Sequence, residues 1–304
     1  MTRAGKDAAG ADAPPVPSPT PAPSPFHAPC GHEVAFTPRQ KALGWAGFLL
    51  LAGGLAWALT TGAEGLGYNW QWYRVGRYFL APGPNGIMDG IMDGLTAGPL
   101  LRGLGVTLEI TAASFGLSFA LGLGCAVLRL SPSPVGRGAA RVYLELVRNT
   151  PLLIQLFFLY FAIAPLFGLS AFATAVLSLS LFEGAYASEI FRAGIVAVDR
   201  GQWEAALGTG LNLAQTYRHV ILPQAVRRIL PPLAGQAVSL VKDSALVSTI
   251  AVYDLTMQGQ AIVAETFLTF EIWFTVAAVY LCVTLALDAA VGLLRRALAG
   301  PVCP

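Results

Sequence analysis

The sequence predicts an all-α integral membrane protein of about six transmembrane helices, and three observations carry that prediction. Hydrophobic residues make up 55% of the 304 and charged residues only 12%, with a mean hydropathy of +0.61, whereas roughly a quarter of a soluble domain is charged. Apolar runs long enough to cross a bilayer core of about 30 Å recur along the chain. Arginines gather at alternate ends of those runs, as the positive-inside rule requires of cytoplasmic loops. The net charge of +2 and the lack of a Lys/Arg block argue against nucleic acid as a partner. Four scattered cysteines (Cys30, Cys125, Cys282, Cys303) and three separated histidines (His27, His32, His219) lead us to expect neither a disulfide framework, nor a metal site, nor a cofactor.

In chain order, four parts follow. Residues 1–38 are rich in Ala and Pro, as in PPVPSPTPAPSP, and are expected to be disordered or partly polyproline II. They do not read as a signal peptide, because no apolar core follows a basic start. Residues 39–102 begin with the uncharged run Leu43–Thr60, preceded by Arg39 and Lys41, which favours a cytoplasmic N-terminus. The connection after it contains GYNWQWYRVGRYFL, with Trp70, Trp72, Tyr73 and Tyr78 suited to a membrane interface. It reads as an amphipathic helix on the outer surface, with a folded loop whose aromatics pack inward as the alternative.

Residues 103–296 hold five more spans: Leu104–Leu128, Leu152–Gly168, Leu169 to about Ile190, Leu233–Ala251 and Ile272–Leu294, the second and third of these joined by a tight outer turn around Gly168 to Ser170. Arg129, Arg137, Arg141 and Arg148 lie in one inner loop, Arg192, Arg200, Arg218, Arg227 and Arg228 in the next, and Arg295 and Arg296 after the last span. Six spans with both termini in the cytoplasm satisfy every cluster. Residues 297–304 form a short C-terminal tail. Pro151 suits a first helical turn that Thr150 caps, while Gly116, Gly122 and Gly124 read as sites of close helix packing.

The stretch Asp199–Pro223, DRGQWEAALGTGLNLAQTYRHVILP, interrupts the apolar sequence and belongs outside the bilayer. Gln202–Leu207 is rich in helix formers, and Gly208 and Gly210 allow a reversal. Asn212 with Gln215 three residues on resembles a capping box for a second helix. Leu213, Tyr217 and Val220 or Ile221 give that helix an apolar face, and Pro223 is expected to stop it.

The order Glu204-Ala205-Ala206, Gly210, Val220, Leu222-Pro223 resembles the EAA loop of ABC importer permeases, with Val220 where isoleucine is usual. Four further stretches are similar to the polar amino acid permeases of the histidine and glutamine type. They are GVTLEITAASFGLSFALG at 105–122, ELVRNTPLLIQLFFLYF at 145–161, EGAYASEIFRAGIVAVDRGQWEAA at 183–206 and LPPLAGQAVSLVKDSALVSTIAV at 230–252. The resemblance covers about Leu104 to Leu294 and implies a five-helix permease core, to which the first span and the tail are additions. It also implies an inner-membrane importer of polar amino acids in which Glu204, Ala205, Ala206, Gly210, Leu222 and Pro223 couple to ATPase subunits. A second permease subunit, the same or homologous, and a periplasmic amino-acid-binding protein are the other implied partners. No G-x-x-x-x-G-K-[ST] motif occurs, so the chain is expected not to be an enzyme and ATP hydrolysis is expected on a partner.

A polar substrate path should be marked by groups that lipid does not tolerate. Glu183, three residues from Tyr186 on one helix face, offers a carboxylate for an ammonium group; a helix–helix hydrogen bond is the equal alternative. Lys242, Asp243 and Ser244 lie midway along the fifth expected span and suit a shared structural or gating role, or contact with substrate. Gln155 offers an amide to a ligand or to a neighbouring helix. Glu189 and Arg192 are spaced for an internal ion pair. Two other classes compete: a permease for another solute class, and an ion-driven secondary transporter, which would show two similar halves. A membrane enzyme would need a clustered nucleophile, base or metal, and none is apparent.

Overall fold

A computed structural model describes residues 38–65, 67–82 and 95–298. The expected disorder of the Pro/Ala-rich tail lies outside these residues. The chain forms two units, residues 1–69 and 70–304. In the first, the described structure is one helix, α1 (Pro38–Gly65), which contains the expected run Leu43–Thr60.

The second unit opens with a 3-10 turn, Trp72–Tyr78, and a short antiparallel pair, β1 (Leu80–Pro82) with β2 (Leu95–Ala97). The amphipathic surface helix expected here gives way to a folded loop. Trp70 stacks on Trp72 at 6.0 Å, and the two rings lie 5.6 Å from Phe270 and 6.4 Å from Phe274. Val75 is buried, and the Gln71 N–H donates to Glu271 at 2.6 Å. Seven residues of 3-10 turn have too little length for an amphipathic stripe, so the aromatics close on their own neighbours instead. Gly98 then passes so near Tyr78 that a Cβ would sit 2.4 Å from its carbonyl oxygen.

The body consists of α2 (Pro99–Leu130), α3 (Pro134–Arg148), α4 (Leu152–Phe157), α5 (Ala164–Phe167), α6 (Ala171–Val196), α7 (Arg200–Gly208), α8 (Leu213–Thr216), α9 (Leu222–Asp243), α10 (Leu255–Thr266) and α11 (Thr269–Leu298). A π turn, Phe158–Ile163, joins α4 to α5. Four described helices, α1, α2, α6 and α11, are each long and apolar enough to cross a membrane, or five if α3 with α4–α5, bent by 106°, counts as one span. The expected third span is the 16 residues of α4, the π turn and α5, a rise of about 24 Å against a core of about 30 Å. The fifth is α9 with the 3-10 segment Ser244–Ile250, broken in composition by Pro231 and Pro232.

Small residues bring α2 and α6 together. The Ser114 and Ser180 hydroxyls donate across the pair to Val176 and Ser114 carbonyls at 3.4 and 3.3 Å, and a Cβ at Gly122 would lie 2.7 Å from that of Ala187. Gly116 and Gly124 face open space, so only Gly122 of the three is a packing glycine. At the other crossing, a Cβ at Gly194 of α6 would lie 2.2 Å from Ile229 of α9. Apolar clusters fill the body around Ile110, Leu156, Leu179 and Leu240, and around Ala126, Phe191, Ile221 and Ile229.

Local expectations fared unevenly. The turn at Gly168 has φ +63, and Ser170 caps α6 by accepting from Ala173 N–H at 3.1 Å. Thr150 does not cap α4: its hydroxyl donates back to the Leu146 carbonyl at 2.8 Å, because α3 still supplies an unpaired acceptor there.

Candidate functional site

The polar loop folds as two helices around a left-handed glycine. Asp199 caps α7, its Oδ1 accepting from Gly201 N–H at 2.7 Å. Gly210 has φ +84, which only glycine adopts freely. Asn212 and Gln215 make both bonds of the expected capping box at 2.9 Å. Trp203 meets Tyr217 edge-on at 5.0 Å, and Ala206 and Ile221 are buried beneath them. Leu213, expected on the same apolar face, is instead 61% exposed. Glu204, Ala205 and Leu207 are also exposed on α7, with Glu204 3.4 Å from Arg200.

Pro223 does not end the second helix. The chain widens into a π turn at Tyr217–Ile221 and continues as α9 with Leu222 and Pro223 in its first turn, both exposed. Proline lacks an N–H and its ring crowds the carbonyl four residues back; a π turn moves that carbonyl aside. One helical path therefore runs from Leu213 to Asp243.

Lys242 and Asp243 are not mid-helix but are the last residues of α9, where the backbone tightens into the 3-10 segment. They diverge: Lys242 is exposed, whereas Asp243 turns towards Glu183 of α6. Glu183 is buried at 4% exposure, and its Oε2 has no hydrogen-bond partner among the described residues. Two carboxyl groups brought together in apolar surroundings can share a proton between them or receive a cation. The Ser244 hydroxyl is buried and donates to the Val241 carbonyl at 2.8 Å. Tyr186 lies against Phe182 at 5.1 Å and under the Arg148 guanidinium at 5.5 Å. The Gln155 amide donates to Val147 and Thr150 carbonyls at 2.7 and 3.0 Å, tying down the sharp bend between α3 and α4.

The expected pair of Glu189 and Arg192 forms, and Arg129 of α2 joins it on the other carboxylate oxygen. Sequence reading missed this third member because it is 60 residues away. It also placed Asp254 in an outer connection without a role, whereas Asp254 caps α10 by accepting from Met257 N–H at 2.8 Å and receives the Tyr280 hydroxyl at 3.3 Å. Burial pushes the Asp254 carboxyl up to about 6, even though these hydrogen bonds pull the other way. An Asp just ahead of a helix-forming run was the available signal.

Comparison with known proteins places the chain among transport proteins. The glutamine transport system permease protein GlnP of Escherichia coli is 38% identical over 192 residues, covering 62% of this chain and 88% of that protein. The probable glutamine permease GlnM of Bacillus subtilis is 34% identical over 194 residues, 63% and 89% of the two chains. A crystal structure of an amino acid ABC transporter with histidines shares 38% identity, covers 65% of this chain and 93% of its own, and superposes with a TM-score of 0.62. The methionine ABC transporter MetNI in an inward-facing conformation, at 20% identity and a TM-score of 0.57, shares the fold. Residues 118–300 match the family of binding-protein-dependent transport system inner membrane components, and the chain belongs to that family.

Proposed function

We propose that the chain is the translocation subunit of an ABC importer that carries polar amino acids, of the glutamine or glutamate type or basic ones, across the inner membrane. The observation that carries this reading is the helical path from the exposed loop at Leu213 to Asp243, which faces the buried Glu183. One end offers Glu204, Ala205, Leu207 and Leu213 to a partner, and the other offers two carboxyl groups to a cation. Every amino acid carries an ammonium group, so this pair suits the common part of the substrate. The relatives named for glutamine transport support the narrower class.

In this reading α7 and α8 dock on a dimer of ATP-hydrolysing subunits through the exposed Glu204, Ala205 and Gly210, with Leu222 and Pro223 at the start of α9, while the buried Ala206 holds α7 against the body beneath that surface. A second permease subunit completes the pathway, and a periplasmic binding protein delivers the amino acid. Both termini and the arginine-bearing loops lie in the cytoplasm. Residues 103–296 are the permease domain, and residues 39–102 add a span and an outer connection to it. Glu183, Tyr186, Asp243 and Ser244 line the path; Lys242 and Gln155 border it.

The test is uptake by cells carrying Glu204→Lys or Gly210→Val, together with recovery of the ATPase on purification. Both variants insert normally, lose the ATPase and lose about nine-tenths or more of uptake, as expected when a charge is reversed or a left-handed turn is forced at an interface. Full uptake with the ATPase still attached would refute the coupling assignment. Uptake independent of ATP would favour a secondary transporter.

A further inference from the structure

We propose that the arginine-walled cavity between α2, α3 and α6 binds the phosphate of an anionic phospholipid headgroup from the inner leaflet. The cavity measures about 540 Å³, and Arg129, Arg137, Arg141, Arg148, Arg192 and Tyr186 lie on its wall. Arg129 and Arg192 share Glu189, and Arg148 sits over Tyr186. Glu145, the carboxylate on the wall itself, accepts from Asn149 at 2.9 Å. Arg137 donates to the Ser131 carbonyl at 3.3 Å. Arg137, Arg141 and Arg148 have no carboxylate partner among the described residues. Five guanidinium groups are thus set against Glu145 on the wall and Glu189 behind it, which leaves the cavity short of about three negative charges. Guanidinium pairs with phosphate in bidentate geometry, and a concave basic site between helices on the cytoplasmic side is the form that headgroup recognition takes.

The helix that bears three of these arginines has the build of an interfacial helix. α3 turns through 106° from the segment that follows, so it lies near the membrane plane when that segment crosses it. Val135, Val142 and Leu146, spaced on one face, are 80%, 58% and 63% exposed, while Arg137, Arg141 and Arg148 project from the other side. Such a helix rests at the boundary of headgroups and acyl chains with its charged face among phosphates. Tyr143 anchors it, its hydroxyl donating to the Leu181 carbonyl of α6 at 2.6 Å. The lipid phosphate thereby bridges α3 to the ends of α2 and α6.

The proposal rests on placing α3 at the cytoplasmic face. That placement is checked separately by labelling Gly138→Cys, an exposed position with open space around it, with a membrane-impermeant thiol reagent from either side of the membrane. Labelling from outside only would overturn the placement, and with it this site, whatever the lipid data show. For the site itself, the complex is purified from native membranes, washed in detergent, and weighed intact by native mass spectrometry. One phosphatidylglycerol or cardiolipin per permease chain is expected to survive the wash. In Arg137→Gln/Arg141→Gln its affinity is expected to fall about thirty-fold. Phosphatidylcholine added back should not replace it, and an excess of inorganic phosphate should displace it only partly. Equal lipid retention by the double variant would overturn the proposal. Complete exchange for inorganic phosphate would reassign the cavity to a soluble anion. Loss of the ATPase subunit with lipid unchanged would make the cavity a protein interface.

Discussion

Glu183 and Glu189 lie six residues apart on α6 and live in opposite circumstances. Glu189 is about one-third exposed and holds a guanidinium on each carboxylate oxygen, one from its own helix and one from α2. Glu183 is buried against another carboxyl group and leaves one oxygen without a partner. Folding has satisfied the first and not the second. Stability alone would replace a buried, half-satisfied acid with an apolar residue, because its desolvation is not repaid. An acid kept in that state is better explained by a visitor that completes it, and an ammonium group would do so.

Substitutions at these positions separate the two roles, and the largest effect is expected at Glu183. Glu183→Gln keeps the shape and removes the charge; uptake should fall about ten- to a hundred-fold, the loss of a hydrogen bond to a charged group. Its thermal midpoint should barely move. If uptake kinetics are unchanged, the residue is a helix–helix contact and the comparison collapses.

Asp254 is a third carboxylate, fully buried but fully bonded, at the N-terminus of α10. Its carboxyl titrates near 6 against an ordinary 3.8. A raised value means that the folded chain holds the proton more tightly, so stability is greatest below about 3.8 and declines as pH rises to about 6. The full loss is at most about 3 kcal/mol. Asp254→Asn retains the capping oxygen and should flatten that decline, which thermal melts of the purified chain across the window will read. A decline that persists in the variant would place its source elsewhere.

The smallest change is expected at Glu189. Glu189→Ala strands Arg129 and Arg192, yet water reaches both, so the cost is about 1–2 kcal/mol, less than for a deeply buried pair. A midpoint lowered by a few degrees, with uptake per folded molecule preserved, fits a structural brace. Uptake lost at full stability would instead put Glu189 on the path and erase the contrast with Glu183.

Sequence reading succeeded where the governing interactions are local. The capping box of Asn212 and Gln215, the reversal at Gly210 and the turn at Gly168 each depend on a few adjacent residues, and each stands where expected. The Glu189–Arg192 pair was legible for the same reason. Contacts between helices were not. Arg129 meets Glu189 and Asp243 meets Glu183 across about 60 positions, with no periodicity to announce them. Pro223 misled because the rule that proline ends a helix assumes an α-helix before it, and the π turn removes that assumption. Gly116 and Gly124 misled in another way: which glycines meet a neighbour depends on where α6 crosses α2.

The continuous helical path from Leu213 to Asp243, which passes through a π turn and carries Pro231 and Pro232 just beyond its contact with Gly194, also has a mechanical reading. It is pinned where Ile229 presses into Gly194, and the nearby Arg228 guanidinium grips the Ala197 carbonyl at the end of α6. From that pin the rod extends about 24 Å to Leu213 and about 21 Å to Asp243 at 1.5 Å per residue. It is a lever with nearly equal arms. Under the proposed docking, a tilt of the loop end would return at Asp243 in the opposite sense with a similar amplitude if the path moves as one body, so a displacement of about 3 Å at the loop would become a separation of about the same size from Glu183, roughly the length of a hydrogen bond. The fulcrum is two side chains wide, and a methyl group added at Gly194 would jam it.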